Sequence, residues 1–213
     1  FTATAKDQFG TALAPQPTFN WSVNAGGAIS GTGLFTAGSS AGGPFTVTAS
    51  AGGQSGNASV NVSSATVTMG ETKVLPTDDN GNGNFLIAQQ TSLAKPATIQ
   101  SLSFYVANAA GKLRLGVYDA SGPSGRPGAK KAETAEITPT TGWNTATVLS
   151  PISLPAGTYW LAYFGSSDAL GSRVNGAGNY VYVSLTYGAL PATFPTNPTR
   201  DIAHWSFYAT LLP

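Results

Sequence analysis

The sequence predicts an all-β protein built as two β-sandwich domains, residues 1–64 and 65–213. Three observations carry this. Short runs alternating apolar residues with Thr, Ser or Asn recur along the 213-residue chain, 26 Gly and 14 Pro punctuate them, and no stretch carries the apolar stripe of an amphipathic helix. The densest region is Gly142–Phe164, where two β-type runs flank Leu154-Pro155-Ala156-Gly157 and read as strand, turn, strand. Trp143–Leu149 alternates Thr with apolar residues, whereas Thr158–Phe164 is apolar almost throughout, which predicts an inner strand covered on both faces.

In the first third, Phe1–Ala5 (FTATA) alternates and runs into the polar turn Lys6–Gly10. Phe19, Trp21 and Val23 share one face of a half-buried strand, Ala28–Ser30 and Leu34–Thr36 are short strands, and Phe45–Ala49 and Ala58–Val62 alternate cleanly. Strands at turn spacing without a helix predict an antiparallel sandwich. Ser63-Ser64-Ala65 reads as the junction.

Beyond it, Thr66–Gly70 and Thr72–Leu75 read as short strands leading to the loop Asp78–Asn84. Phe85–Thr91 and Ile99–Val106 follow, the latter with Leu102, Phe104 and Val106 on one face. Leu113, Leu115 and Val117 form an apolar face, so Arg114 and Tyr118 lie on the opposite one. Gly122–Gly128 (GPSGRPG) excludes regular structure. Ala129–Glu136 reads as a short edge strand, Ser166–Asn179 as a long polar loop, and Tyr187–Pro198 as irregular. Tyr180–Thr186 places Val181, Val183 and Leu185 on one face and Tyr180 and Tyr182 on the other, and Trp205–Leu211 closes the sheet. Nine or so strands over this length predict a jelly roll.

The strings DQFG, WSVNAGGAISGTGLFTAG and FTVTASAGGQSGNASVNV resemble a bacterial immunoglobulin-like domain of the kind strung between modules of secreted and cell-surface proteins; the resemblance covers Phe1–Val62. It implies an immunoglobulin-like spacer truncated at its first strand, because in that family a further strand precedes the one matching FTATA. The chain opens at Phe1 in mid-strand with no signal peptide, which reads as a fragment covalently linked to further domains. The strings FLIAQQTSLAKPATIQSLSFYV, LRLGVYDASGPSG, GWNTATV and LPAGTYWLAY resemble a β-sandwich module appended to bacterial extracellular proteins, often beside carbohydrate-active enzymes. That resemblance spans nearly all of Ala65–Pro213. It implies a carbohydrate-binding-module-like role and an extracellular location, secreted or cell-surface, and it carries over no binding residue.

Charged residues make up 9% of the chain and its net charge is +1, which excludes a basic patch for nucleic acid and gives no electrostatic reason to sit on an anionic membrane. No stretch approaches the ~20 apolar residues of a membrane span. With no Cys there is neither a disulfide framework nor a thiolate metal site. Enzymatic activity is not expected. General acid–base work needs paired ionisable groups with shifted pKa values; the nine carboxylates lie mostly in turns, His204 is the single histidine, and Glu136, Asp168 and Asp201 sit in no catalytic motif. No G-x-S-x-G elbow occurs.

Asp78-x-Asn80-x-Asn82-Gly83 fits the front of a calcium loop, whose alternating oxygens converge on one hard cation. Its twelfth position, a bidentate Glu in a full motif, is Gln89, and the same residues also make a good turn. A calcium ion here would be structural, stiffening the loop. Sugar recognition needs flat apolar faces with amides or guanidinium groups beside them. Most of the aromatic residues must be core, Trp160 and Phe164 among them. Tyr180 and Tyr182, beside a polar loop carrying Arg173, are candidates for an exposed platform. Trp143 at a strand start serves either packing or ligand, and Arg114 with Tyr118 forms either a second patch or a solvated face. The expected partner is therefore a polysaccharide, bound by a monomeric fragment; the alternative is a purely structural spacer or adhesive stalk.

Overall fold

A computed structural model describes residues Phe1–Pro213, and all of its regular structure is β apart from one 3-10 turn at Pro123–Gly125. No helix is long and apolar enough to cross a membrane. The chain folds as two compact units, Phe1–Ala65 and Thr66–Pro213.

The first unit holds β1 (Asn20–Val23), β2 (Gly27–Ile29), β3 (Phe35–Ala37), β4 (Gly42–Ala51) and β5 (Gln54–Val62). β1, β4 and β5 form an antiparallel sheet in that order, and β2 and β3 pair as a separate ribbon. Val47, Ala49 and Val62 are its buried hydrophobic side chains. Phe1–Ala5, expected as a strand, keeps an alternating burial pattern at Ala3 and Ala5 but joins no sheet. Periodicity records which side chains point inward; a strand also needs a neighbour to complete its hydrogen bonds.

The second unit holds β6 (Val67–Gly70), β7 (Thr77–Asp79), β8 (Phe85–Leu93), β9 (Ala97–Asn108), β10 (Leu113–Asp119), β11 (Lys130–Glu133), β12 (Gly142–Thr147), β13 (Ser153–Leu154), β14 (Gly157–Gly165), β15 (Gly171–Asn175), β16 (Tyr180–Ser184), β17 (Thr199–Asp201), β18 (His204–Trp205) and β19 (Phe207–Leu212). The smaller sheet runs β11-β10-β14-β8-β16-β17. The larger runs β18-β15-β9-β19-β6, with β12 and β13 paired to β9 and β7 to β15. Every paired strand is antiparallel to its neighbour.

Two apolar clusters sit on opposite faces of the smaller sheet. The main core joins Leu102, Phe104 and Val106 of β9 and Phe207, Ala209 and Leu211 of β19 to Leu113, Leu115 and Val117 of β10 and Leu161 and Tyr163 of β14. On the other face, Leu86, Ala88, Trp160, Ala162, Phe164 and Val181 pack with Leu190 and Phe194 from the irregular segment Tyr187–Pro198. β14 alternates between the clusters and is buried from Tyr159 to Gly165, as its unbroken apolar run predicts. It lies inside the sheet, between β10 and β8.

Four expectations are corrected. β12 and β14 do not form a hairpin: β12 pairs with β9 in the larger sheet and β14 lies in the smaller one. Their patterns reveal how many faces each has covered, while the neighbour that supplies hydrogen bonds is a tertiary choice. Ser166–Asn179 contains β15, which pairs with β7, β9 and β18. Thr72–Leu75 forms no strand; Leu75 N–H instead donates to Ser206 Oγ at 2.9 Å. The unit has fourteen strands, against nine or so expected, because β7, β13, β17 and β18 are only two or three residues long and too short to show a period.

Candidate ligand-binding face

The sequence places Tyr180 and Tyr182 away from Val181, and so they are, but both sides of β16 are covered. Val181 is buried in the second cluster, and both tyrosines pack, half-buried, against the main core. The Tyr180 ring meets Trp205 edge-on at 4.9 Å and stacks on Tyr182 at 5.8 Å, while Tyr182 meets Phe85 at 5.7 Å. Burial, then the nearby Asp201 carboxylate, pushes the Tyr180 phenol up to about 12. These rings belong to the sandwich edge and do not form an open platform.

Arg114 and Tyr118 do lie opposite Leu113 and Leu115, but that face is roofed by Tyr187–Pro198. Tyr118 has no exposure; its hydroxyl donates to Pro191 O at 2.8 Å and its ring meets Phe194 at 5.2 Å. Burial first, and then Glu133, raises its pKa far above the usual phenol value. Arg114, half-buried, pairs with Glu136 at 3.1 Å, and Tyr187 OH donates to the same carboxylate oxygen at 3.2 Å. Burial, with Glu136 next, pushes Tyr187 up to about 12. The pair is thus a corner of a packed layer.

The Asp78 loop does not present converging oxygens. Asp78 and Asp79 are successive residues of β7 and point to opposite faces. Asp78 is exposed and ion-pairs with Arg173 at 3.3 Å; Arg173 also donates to Pro76 O at 3.2 Å. Asp79 Oδ2 accepts from Asn82 Nδ2 at 2.6 Å, Trp205 Nε1 at 2.7 Å and Ser172 Oγ at 3.1 Å. Asn82 therefore turns its amide donor inward, and Asn80 is exposed. Gln89, at the position of the twelfth ligand, is buried in β8 with its amide tied to the backbone of Trp205 and Phe207. Neutral donors complete this network, and its residues do not fit a calcium ion.

One candidate lies on the outer side of the larger sheet. Trp143 sits on β12 opposite Tyr105 of β9. Its ring is 5.4 Å from Tyr105 at 82° and 5.0 Å from Tyr208 of β19 at 68°. All three rings are half-buried and lie on the side of the larger sheet away from Leu102, Phe104, Phe207 and Ala209, which fill the core. Along the same strands the outward positions carry hydroxyls: Ser101, Thr145, Thr147 and Thr210 are at least partly exposed, while Ser103, hydrogen-bonded to Thr145 at 2.8 Å, is buried. The face is thus apolar rings at one end and neutral hydroxyls at the other, a composition suited to a neutral ligand with alternating C–H and O–H groups.

Tyr105 and Tyr208 were within reach of sequence reasoning. Each occupies the odd position of an apolar alternation, Phe104-Tyr105-Val106 and Phe207-Tyr208-Ala209, which sends its side chain outward. Comparison of the chain with protein-family models finds no match, and comparison with curated proteins finds none either.

Proposed function

We propose that the chain is a non-catalytic accessory fragment of a secreted or surface bacterial protein, and that its second unit binds polysaccharide through the outer face of the larger sheet. The observation that carries this reading is the half-exposed cluster Tyr105, Trp143 and Tyr208, continued along β12 by the exposed Thr145 and Thr147. The sequence resemblances support the extracellular setting and the first unit's role as spacer.

A second reading, in which both units are only spacers, is favoured by the edge-on contacts within the cluster itself, since rings packed on one another need no ligand to hold them. Affinity electrophoresis against a panel of soluble polysaccharides separates the two. The binding reading expects retardation on at least one polymer and its loss in Trp143→Ala. Unretarded migration on every polymer, with Trp143→Ala behaving like the parent, leaves the spacer reading.

A further inference from the structure

Asn-Gly occurs three times in the chain, at Asn80-Gly81, Asn82-Gly83 and Asn175-Gly176. The dipeptide carries its own chemistry. Glycine has no Cβ to shield its backbone nitrogen, so that nitrogen can approach the side-chain carbonyl carbon of the preceding asparagine. Reaction also needs two freedoms that the dipeptide alone does not reveal. The glycine N–H must be released from any acceptor it serves, and the asparagine amide must be free to swing over it.

The three pairs differ in both respects. Gly81 N–H donates to Asp168 O at 2.9 Å, and the N–H of the buried Gly83 donates to Asp168 Oδ1 at 2.9 Å. Asn82 is held by its side chain as well, since its Nδ2 donates to Asp79 Oδ2 at 2.6 Å. Asn175 and Gly176 are both exposed, at the end of β15. Gly176 N–H donates to no backbone acceptor, and a Cβ built on Gly176 would meet nothing within 4 Å. One pair of the three therefore has its nucleophile free and its surroundings open.

We infer that Asn175 is a site of self-modification, passing through a succinimide to aspartate and isoaspartate, while Asn80 and Asn82 stay intact in the folded protein. Hydroxide removes the Gly176 amide proton and the nitrogen bonds to Asn175 Cγ. The Cγ–Nδ2 bond breaks, and the leaving group takes a proton from water and departs as ammonia. Water then opens the ring at either carbonyl. Breaking the new Cγ–N bond restores the ordinary main chain with an aspartate; breaking the original peptide C–N bond routes the main chain through Cγ as isoaspartate. The added carboxylate takes the net charge from +1 to neutral. It stands at the cross-strand neighbour of His204, whose Nε2 already lies 3.5 Å from Glu71 Oε2. Isoaspartate also lengthens the last residue of β15 beside β18, the two strands whose Ser172 Oγ and Trp205 Nε1 share Asp79 Oδ2.

The test is peptide mapping by mass spectrometry on the full chain, incubated in mildly alkaline buffer made with heavy-oxygen water, folded and in urea. In the folded chain Asn175 is expected to convert about tenfold or more faster than Asn80 or Asn82, because those two must first give up a hydrogen bond at the reacting nitrogen. Its product carries heavy oxygen from the water that opens the ring. In urea all three convert at similar rates. Gly176→Ala, which fits the open space, slows Asn175 several-fold and leaves the unfolding transitions of both units in place. Asp168→Ala removes the acceptor of Gly83 N–H and speeds Asn82, while Asn80 stays slow because Gly81 N–H is held by a main-chain oxygen. Four results overturn the inference: Asn80 or Asn82 keeping pace with Asn175 in the folded chain, the same order of rates persisting in urea, a product without heavy oxygen, or no conversion at Asn175.

Discussion

The two units are written in the same period-2 pattern and end with different interiors. In the first, alternation yields Val47, Ala49 and Val62 as buried hydrophobic residues and an open groove beside them. In the second, it yields a smaller sheet buried on both faces, with Phe104, Leu115 and Leu161 in one cluster and Leu86, Trp160 and Phe164 in another. Alternation prepares a face for burial, and a second layer must arrive for the burial to happen. The second unit obtains one cover from its larger sheet and the other from an irregular segment carrying Leu190 and Phe194.

The contrast breaks first in the main core. Phe104 has no exposure and its ring lies 4.6 Å from Tyr163 and 5.4 Å from Phe207. Phe104→Ala is expected to cost the second unit about 3–5 kcal/mol in chemical denaturation, without moving the first unit's transition. Trp21→Ala, on the half-covered groove floor, is expected to cost the first unit less than half as much. Equal losses would mean that the first unit's core is closed in solution.

Next in size is the polar tie at the end of the sandwich. Asp79→Ala strands the donors of Trp205, Ser172 and Asn82 and is expected to destabilise the second unit by about 1–3 kcal/mol. Asp78→Ala, which removes one exposed ion pair, is expected to cost less than about 1 kcal/mol.

Binding separates the outward rings from the inward ones. Trp143→Ala is expected to weaken polysaccharide retardation by about tenfold, or ~1.4 kcal/mol, with little loss of stability. Tyr182→Ala should do the reverse, lowering the melting temperature while retardation persists. If Tyr182→Ala abolishes binding and Trp143→Ala does not, the ligand face lies at the sandwich edge.

A smaller effect appears in alkali, and only in the second unit, since all eight tyrosines lie beyond residue 65. The Tyr180 and Tyr187 phenols, raised from 10.0 to about 12 by burial and then by Asp201 and Glu136, stay protonated when folded at a pH where the unfolded chain ionises. Their contribution is complete below pH 10 and declines as the pH rises through about 12. Tyr180→Phe with Tyr187→Phe should flatten that decline in a pH series of melting curves, while the first unit shows none of it. Smallest of all is the response to chelator. Because Asp79 is satisfied by neutral donors, excess EDTA should leave both transitions where they were, and a drop on chelation would restore a cation to the Asp78 loop.

Much of this fold is legible residue by residue. The inner position of Thr158–Phe164 follows from its unbroken apolar run, and the orientation of Tyr105 and Tyr208 from the alternation around them. What could not be read is which covered face belongs to which layer. Tyr180 and Tyr182 were assigned to the correct side of β16, yet that side faces the main core, because Val181 is covered independently by Leu190 and Phe194. Tyr118 was likewise placed away from Leu115 and is buried beneath a proline-rich segment with no period to announce it.

By itself, the sequence determined the β class, the segments that alternate, and the side of each strand on which a residue stands, because those properties depend only on nearest neighbours along the chain. Tertiary structure decided that β12 and β14 enter different sheets and that an irregular loop roofs one face. Those outcomes depend on hydrogen bonds and apolar contacts between residues far apart in the chain, and no local period encodes which distant strand will complete them.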